Sequence, residues 1–302
     1  MLGLGRLLRL SLAPSALADV AAGAALVATD WPSGGVITAG LISSACVYHG
    51  GMALNDWADR AADARDGRPR PIPTGQVRAA TALALSVLLL VLGPALMTLV
   101  VPRAALLLAG VALVAAIYDL FARGPWLGPV LLGACRTGNL TFGMFLALEH
   151  EGRALPLSAM VVAAGYGLYV FSLSRLARLE DRPAHEIQAA RPDLWLGLAA
   201  LVLALQGVLA GSLLGRSPGG TTGIALALAA WGAITLLRQR PRGGPWQPPD
   251  AGRVAGAGLR RLLVATAAIA LQGAVPNAPL VAVAILAGYP LSYGLRRVFP
   301  PT

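Results

Sequence analysis

Residues 35–66 read GVITAGLISSACVYHGGMALNDWADRAADARD. Residues 35–55 hold no Asp, Glu, Lys or Arg, whereas residues 56–66 hold four Asp and two Arg. An uncharged stretch close to the ~20 residues that cross a bilayer as a helix thus runs straight into a dense acidic cluster. Working outward, comparable apolar runs recur at about 12–30, 77–101, 104–121, 127–148, 156–176, 193–214, 219–237, 256–275 and 279–297. Backbone in hydrocarbon must satisfy its own hydrogen bonds, and these runs are too long and too continuously apolar for barrel strands. The reading is an all-α integral membrane protein of about nine transmembrane helices. Ten is the upper count, because Arg260 and Arg261 fall inside the run 256–275 and Pro276-Asn277-Ala278-Pro279 separates it from the next. One of those last two runs is therefore a candidate interfacial or re-entrant segment.

The composition agrees. Of 302 residues, 56% are hydrophobic and 13% charged, which excludes a water-soluble globule. The 24 basic residues are all Arg and the net charge is +10, yet they lie between apolar runs. That placement suits membrane surfaces and phosphate-bearing ligands, not nucleic acid. Cys46 and Cys135 indicate neither a disulfide framework nor a zinc site. Near the start, Arg6, Arg9 and the small residues 13–18 imitate a secretory leader. Arg9 interrupts the apolar core and the apolar character continues to about Ala28, so the stretch reads as a span.

With the amino terminus cytoplasmic, inside loops carry Arg60, Arg65, Arg68, Arg70, Arg123, Arg178, Arg182, Arg191, Arg238, Arg240, Arg242 and Arg253, and outside connections only Arg103, Arg153 and Arg216. This is the positive-inside pattern. It predicts a bacterial-type inner or cell membrane protein with the acidic cluster on the cytoplasmic face. The chain reads as one transmembrane domain over 1–302, with a flexible cytoplasmic linker near 238–255 marked by Gly243, Gly244, Pro245, Pro248 and Pro249.

At about 100° per residue, Asp56, Asp59 and Asp63 fall within about 60° of one another on a helix. Carboxylates so close repel unless a cation lies between them. Mg²⁺ is the natural choice, since it takes one or two carboxylates and completes its shell with water and phosphate oxygens. Just beyond, Arg68 and Arg70 lie on the proline-stiffened stretch 67–75, GRPRPIPTG, suited to clamping phosphate. The alternative is a solvated juxtamembrane charge patch. A second polar group, Ser174 to Arg182 with Arg178, Glu180 and Asp181, is expected on the same membrane side. Within the run 127–148, Arg136 and Asn139 are three residues apart, with Tyr118, Asp119 and Arg123 before them. An intramembrane Arg is a functional candidate, and a structural pairing with Asp119 is the plainer alternative. Asp19 has no partner identifiable from sequence.

These motifs resemble the UbiA superfamily of intramembrane prenyltransferases. Asn55-Asp56-x-x-Asp59-x-x-x-Asp63 matches its first NDxxDxxxD motif, and Arg68-Pro-Arg-Pro-Ile-Pro-Thr-Gly75 the RP(I/L)P(S/T)G segment that follows. Tyr48-x-Gly50-Gly51 and Cys135-Arg136-x-x-Asn139 are most similar to the EboC-like branch. The resemblance implies a bundle of nine spans around a lipid-open cavity. It implies Mg²⁺ held by Asn55, Asp56, Asp59, Asp63 and, in place of the usual second DxxxD motif, by Glu180 or Asp181. Asp56, Asp59 and Glu180 are the implied catalytic carboxylates. Asn55, Arg68, Arg70, Tyr118, Arg123, Arg136, Asn139 and Arg178 are the candidate substrate contacts. The implied partners are a prenyl diphosphate, a lipophilic acceptor with aromatic compounds among the candidates, and membrane lipid. A membrane terpene cyclase, which ionises a prenyl diphosphate without an acceptor, and a transporter or silent scaffold are the competing readings.

Overall fold

The computed structural model describes residues 2–121, 124–216, 219–242 and 244–299. Helices α1 (Leu2–Leu7), α2 (Ala13–Val27), α3 (Gly34–Arg65), α4 (Ala79–Thr98), α5 (Pro102–Phe121), α6 (Leu127–His150) and α7 (Leu157–Ala177) come first. Then follow α8 (Ala184–Ile187), α9 (Pro192–Leu213), α10 (Gly220–Leu237), α11 (Pro248–Arg260), α12 (Leu262–Ala270) and α13 (Ala278–Val298). Among the described residues nine helical stretches are long and apolar enough to cross a membrane, beginning with Leu10–Val27 and ending with Ala278–Val298. They make this an all-α integral membrane protein.

Neighbours in sequence are neighbours in space through α3, α4, α5, α6 and α7, and again through α9 and α10. Helix α2 touches α3, α6, α12 and α13, so the first span also ties the two ends of the chain together. It does so because it is built of small residues. A Cβ on Gly23 would lie 2.1 Å from the Leu140 carbonyl oxygen, and one on Gly143 would lie 2.1 Å from that of Val20. Each helix thus offers a glycine to the other's backbone, the close approach by which membrane helices gain packing contact without a hydrophobic drive.

Of the last two apolar runs, 256–275 is the one that does not span, in keeping with the expected nine: it breaks at Arg261 into α11 and α12, and α12 has nine residues, about 14 Å of helix. The Arg261 guanidinium donates to the carbonyls of Gly232 (3.1 Å) and Ala257 (2.7 Å) and to Thr235 Oγ1 (3.1 Å), so the break is a charged tie to α10. One expectation needs correction: the stretch 238–255 is not a linker throughout. Trp246 is buried and its Nε1 donates to Asp193 Oδ1 at 3.1 Å; from Pro248 the chain is helical, with Asp250 Oδ2 accepting from the Gln247 amide at 3.1 Å. Its Gly/Pro content hid an amphipathic helix, whose Ala251, Val254, Ala255 and Ala257 are buried while Arg253 and Arg260 stay outside.

Candidate active site

Helix α3 has 32 residues, about 48 Å, against a hydrocarbon core of about 30 Å. Its last turns therefore project beyond the apolar layer, carrying the acidic motif with them. Asp56 and Asp63 are nonetheless buried, Asp56 to 1% exposure, because two segments fold over them. One is the loop 66–78, turned by Gly67 (φ 64°) and Gly75 (φ 73°), conformations that glycine adopts without a Cβ penalty. The Thr74 hydroxyl and amide both donate to the Arg70 carbonyl, at 2.7 and 3.1 Å, which holds Arg70 in a fixed turn. The other is the amino-terminal segment: Arg6 donates to the Pro69 carbonyl (3.1 Å) and Gln76 Oε1 (3.2 Å), and Leu7 packs with Ala53, Val77 and Ala82.

Both covering segments send an arginine to one carboxylate oxygen. Arg70 Nη1 is 2.8 Å and Arg9 Nη2 3.0 Å from Asp56 Oδ1, and Arg9 Nη2 also donates to Asn55 Oδ1 at 3.3 Å. Arg9 reaches it from a left-handed backbone (φ 48°, ψ 49°), a conformation that costs a non-glycine residue roughly 1–2 kcal/mol. Asn55 Nδ2 donates to Asp119 Oδ1 on α5 at 3.1 Å. Asp63 lies 3.8 Å from both Arg68 Nε and Arg70 Nε. Around the Tyr118 hydroxyl the charged neighbours are Arg178, Asp119, Arg9 and Asp59. The second polar group meets the first through Arg68 Nη2 and Asp181 Oδ1, 3.3 Å apart, so both lie at one face of the bundle.

Other expected site residues fall elsewhere. The Glu180 carboxylate lies against Gly252 of α11, and it is Asp181 that reaches the loop. A Leu179-directed turn after α7 buries Leu179 and sends adjacent side chains in different directions. Arg123 lies outside the described residues. Arg136 does not pair with Asp119: its Nη1 is 2.9 Å from Asp19 Oδ2, its Nη2 donates to Ser15 Oγ at 3.1 Å, and its guanidinium sits 5.5 Å from the Tyr48 ring centre. Asn139 joins the same node, donating to Asp19 Oδ2 (3.1 Å) and the Ala16 carbonyl (2.9 Å) and accepting from Ser44 Oγ (2.7 Å). Tyr166 completes it with a 2.6 Å hydrogen bond to Asp19 Oδ1. Tyr48 and Asn55 are seven residues apart, two turns on one face of α3, so this node lies about 10 Å deeper than the acidic motif.

Sequence reasoning missed Arg9 and Asp119 as members of the site. In sequence Arg9 reads only as an interruption of a leader. Asp119 reads only as a counter-ion, although an acid at the inside end of the run 104–121 shares the membrane side of the first motif.

Among the described residues no three Asp, Glu, His or Cys side chains converge as a protein-only metal cage. The donor chemistry suits a cation that brings its own oxygens. Asp56 Oδ2 and Asp63 Oδ2 are buried with no hydrogen-bond partner among the described residues, and hard carboxylate oxygens of this kind, one or two per ion, are what Mg²⁺ takes beside phosphate and water.

Comparisons with known proteins point to one family. The UbiA prenyltransferase family matches residues 16–249. The chain is 30% identical over 205 residues to a 4-hydroxybenzoate octaprenyltransferase of Azotobacter vinelandii, covering 64% of this chain and 68% of that protein. A UbiA homolog from Archaeoglobus fulgidus bound to DMAPP and Mg²⁺ superposes with a TM-score of 0.63 at 15% identity, over 87% of this chain and 99% of that one. The apo structure of a UbiA homolog from Aeropyrum pernix gives 0.61 at 18% identity, over 87% and 97%. The chain belongs to the UbiA prenyltransferase family.

Proposed function

We propose that the protein transfers an isoprenyl group from a prenyl diphosphate to a lipophilic acceptor within the membrane, with the acidic face cytoplasmic. The observation that carries this reading is the convergence of Arg9 and Arg70 on Asp56 beside buried oxygens of Asp56 and Asp63 that have no hydrogen-bond partner among the described residues. Carboxylate oxygens and arginines alternate there over a span bundle, the donor set that a metal-bound diphosphate needs.

Asp56 and Asp63 would hold Mg²⁺, with Asn55 and Asp59 beside them. Bound there, Mg²⁺ supplies charge neutralisation to the leaving diphosphate. Arg9, Arg68 and Arg70 turn from the carboxylates to phosphate oxygens, where fixed donors count most as the allylic carbon–oxygen bond breaks and the diphosphate departs with the electron pair. The allylic cation is met by an electron pair of the acceptor, which gives up a proton. An apolar span interior beside the site would exclude water that otherwise captures the cation. The deeper node is already charge-balanced by Asp19 and Arg136, which favours an uncharged part of the prenyl chain or acceptor beside it. The relative from Azotobacter vinelandii points to an aromatic acceptor.

The test is diphosphate release by purified protein in lipid, given C10 to C20 prenyl diphosphates with and without Mg²⁺ and a panel of phenols, with products read by mass. An acceptor adduct formed only with Mg²⁺ establishes the transfer. A hydrocarbon or terpene alcohol formed without acceptor would replace it by cyclisation.

A further inference from the structure

At the same face of the bundle, but between the turn before α6, the end of α7, α8 and the residues that lead into α9, lies a cavity of about 370 Å³. Its wall holds Arg175, Arg178 and Arg182. Arg175 is the unusual member: a guanidinium at the end of a membrane span, only 7% exposed, stacked 3.9 Å from the Trp126 ring centre and 5.0 Å from that of Trp195. It donates to the Pro125 carbonyl through Nη1, while its Nε is buried with no hydrogen-bond partner among the described residues. Glu186 is the single carboxylate among the described lining residues, and it is taken by Arg182 at 3.3 Å, with His185 4.0 Å away. Arg175 has the like charge of Arg182 as its neighbour, and neither Arg175 nor Arg178 forms an ion pair among the described residues. Two or three positive charges so placed, one of them desolvated, repel one another unless an anion joins them.

The surroundings indicate which anion. Trp126, Phe171 and Trp195 form one aromatic cluster with ring centres 5.7–6.4 Å apart, and Trp126 is half exposed. Indole rings with arginines at span ends mark the headgroup level, where basic recesses between helices bind lipid phosphate. Guanidinium groups in a fan match the oxygens of a phosphate in two-point hydrogen bonds. We infer that the recess of Arg175 and Arg182, which adjoins the Asp56 centre through Arg178, is a second phosphate-binding site that takes a phosphate ester group at the membrane surface. The phosphate belongs to an anionic phospholipid headgroup or to free phosphate or diphosphate, and the recess recognises what the two share.

Native mass spectrometry of the full-length protein, released from bilayers of mixed phosphatidylcholine and phosphatidylglycerol, tests the inference without reference to catalysis. Wild type should retain phosphatidylglycerol in preference to phosphatidylcholine, with about fivefold less retained in Arg182→Gln, whose side chain is at the surface, and in Arg175→Gln. Arg240→Gln, at the exposed pair with Asp193, should retain it as wild type does. Retention that inorganic diphosphate does not displace assigns the lipid headgroup. Displacement, or calorimetric binding of diphosphate alone that Arg182→Gln weakens, assigns the free anion. If neither phosphatidylglycerol nor diphosphate binds, or if both bind Arg182→Gln as they bind wild type, the site does not exist.

Discussion

Asp19 and Arg136, 117 residues apart in sequence, form a 2.9 Å ion pair in the interior of the bundle. Asp19 is fully buried, and Tyr166 and Asn139 donate to it as well. Removing one partner of such a pair leaves a charge stranded in a medium that cannot solvate it. Asp19→Asn should therefore lower unfolding stability in detergent by about 3–5 kcal/mol, with Asp19→Asn/Arg136→Gln recovering part of the loss. Thermal or denaturant unfolding of the four proteins measures this, and strictly additive losses would mean that the two side chains are not coupled.

Asp56 is where both covering arginines meet. Asp56→Asn keeps the shape and one hydrogen-bonding oxygen but removes the charge. Diphosphate release should fall by on the order of 100-fold at saturating Mg²⁺ in protein that circular dichroism shows to be still helical, with some loss of detergent stability because Arg9 and Arg70 lose their shared partner. Release that is unchanged would move the chemistry away from α3.

Arg9 combines an ion pair with a left-handed backbone. Arg9→Ala loses the pair and keeps the strain, whereas Arg9→Gly loses the pair and relieves it. The glycine variant should be the more stable of the two by about 1 kcal/mol. Both should show faster amide exchange across residues 2–12 and a raised KM for prenyl diphosphate. Equal stability of the two would locate Arg9 outside the left-handed region in solution.

The crossing of α2 and α6 tolerates no added atom. Gly143→Ala places a methyl against the Val20 carbonyl, and separating the helices should cost about 1–3 kcal/mol. Gly110→Ala, with nothing within 4 Å of its added Cβ, should be neutral or slightly stabilising in the same unfolding assay.

On the opposite face, the Glu151 carboxylate accepts from the amides of Thr29 (2.5 Å) and Asp30 (2.9 Å) and from Arg153. Partial burial alone would raise its pKa, but these donors prevail and hold it down to about 2, against 4.5 for an ordinary glutamate. A depressed folded-state pKa stabilises the protein above the unfolded value, so the contribution is whole above about pH 4.5 and is lost as pH falls towards 2. The stability gap between wild type and Glu151→Gln should narrow over that window, and a gap independent of pH would refute the tie.

The acidic motif, the Arg68–Gly75 loop and the succession of spans could be read from the chain because each is local. Hydrocarbon admits only helices of a certain length, and three carboxylates within two turns share a face whatever surrounds them. The span limits 127–148 and 156–176 accordingly lie within two residues of α6 and α7. Where polar residues were read by composition alone, as in 238–255, the amphipathic α11 escaped notice, since its apolar face has meaning only against α7. Partners across the bundle were also invisible. Asp19 meets Arg136, Asn55 meets Asp119 and Arg9 meets Asp56 because the packing brings together residues 47–117 positions apart, and no spacing rule along one helix reports which buried polar group will face which. Tertiary structure alone decided those pairs, for the physical reason that a charge inside a membrane protein takes as its partner whichever opposite charge the packing of small residues brings within hydrogen-bond reach.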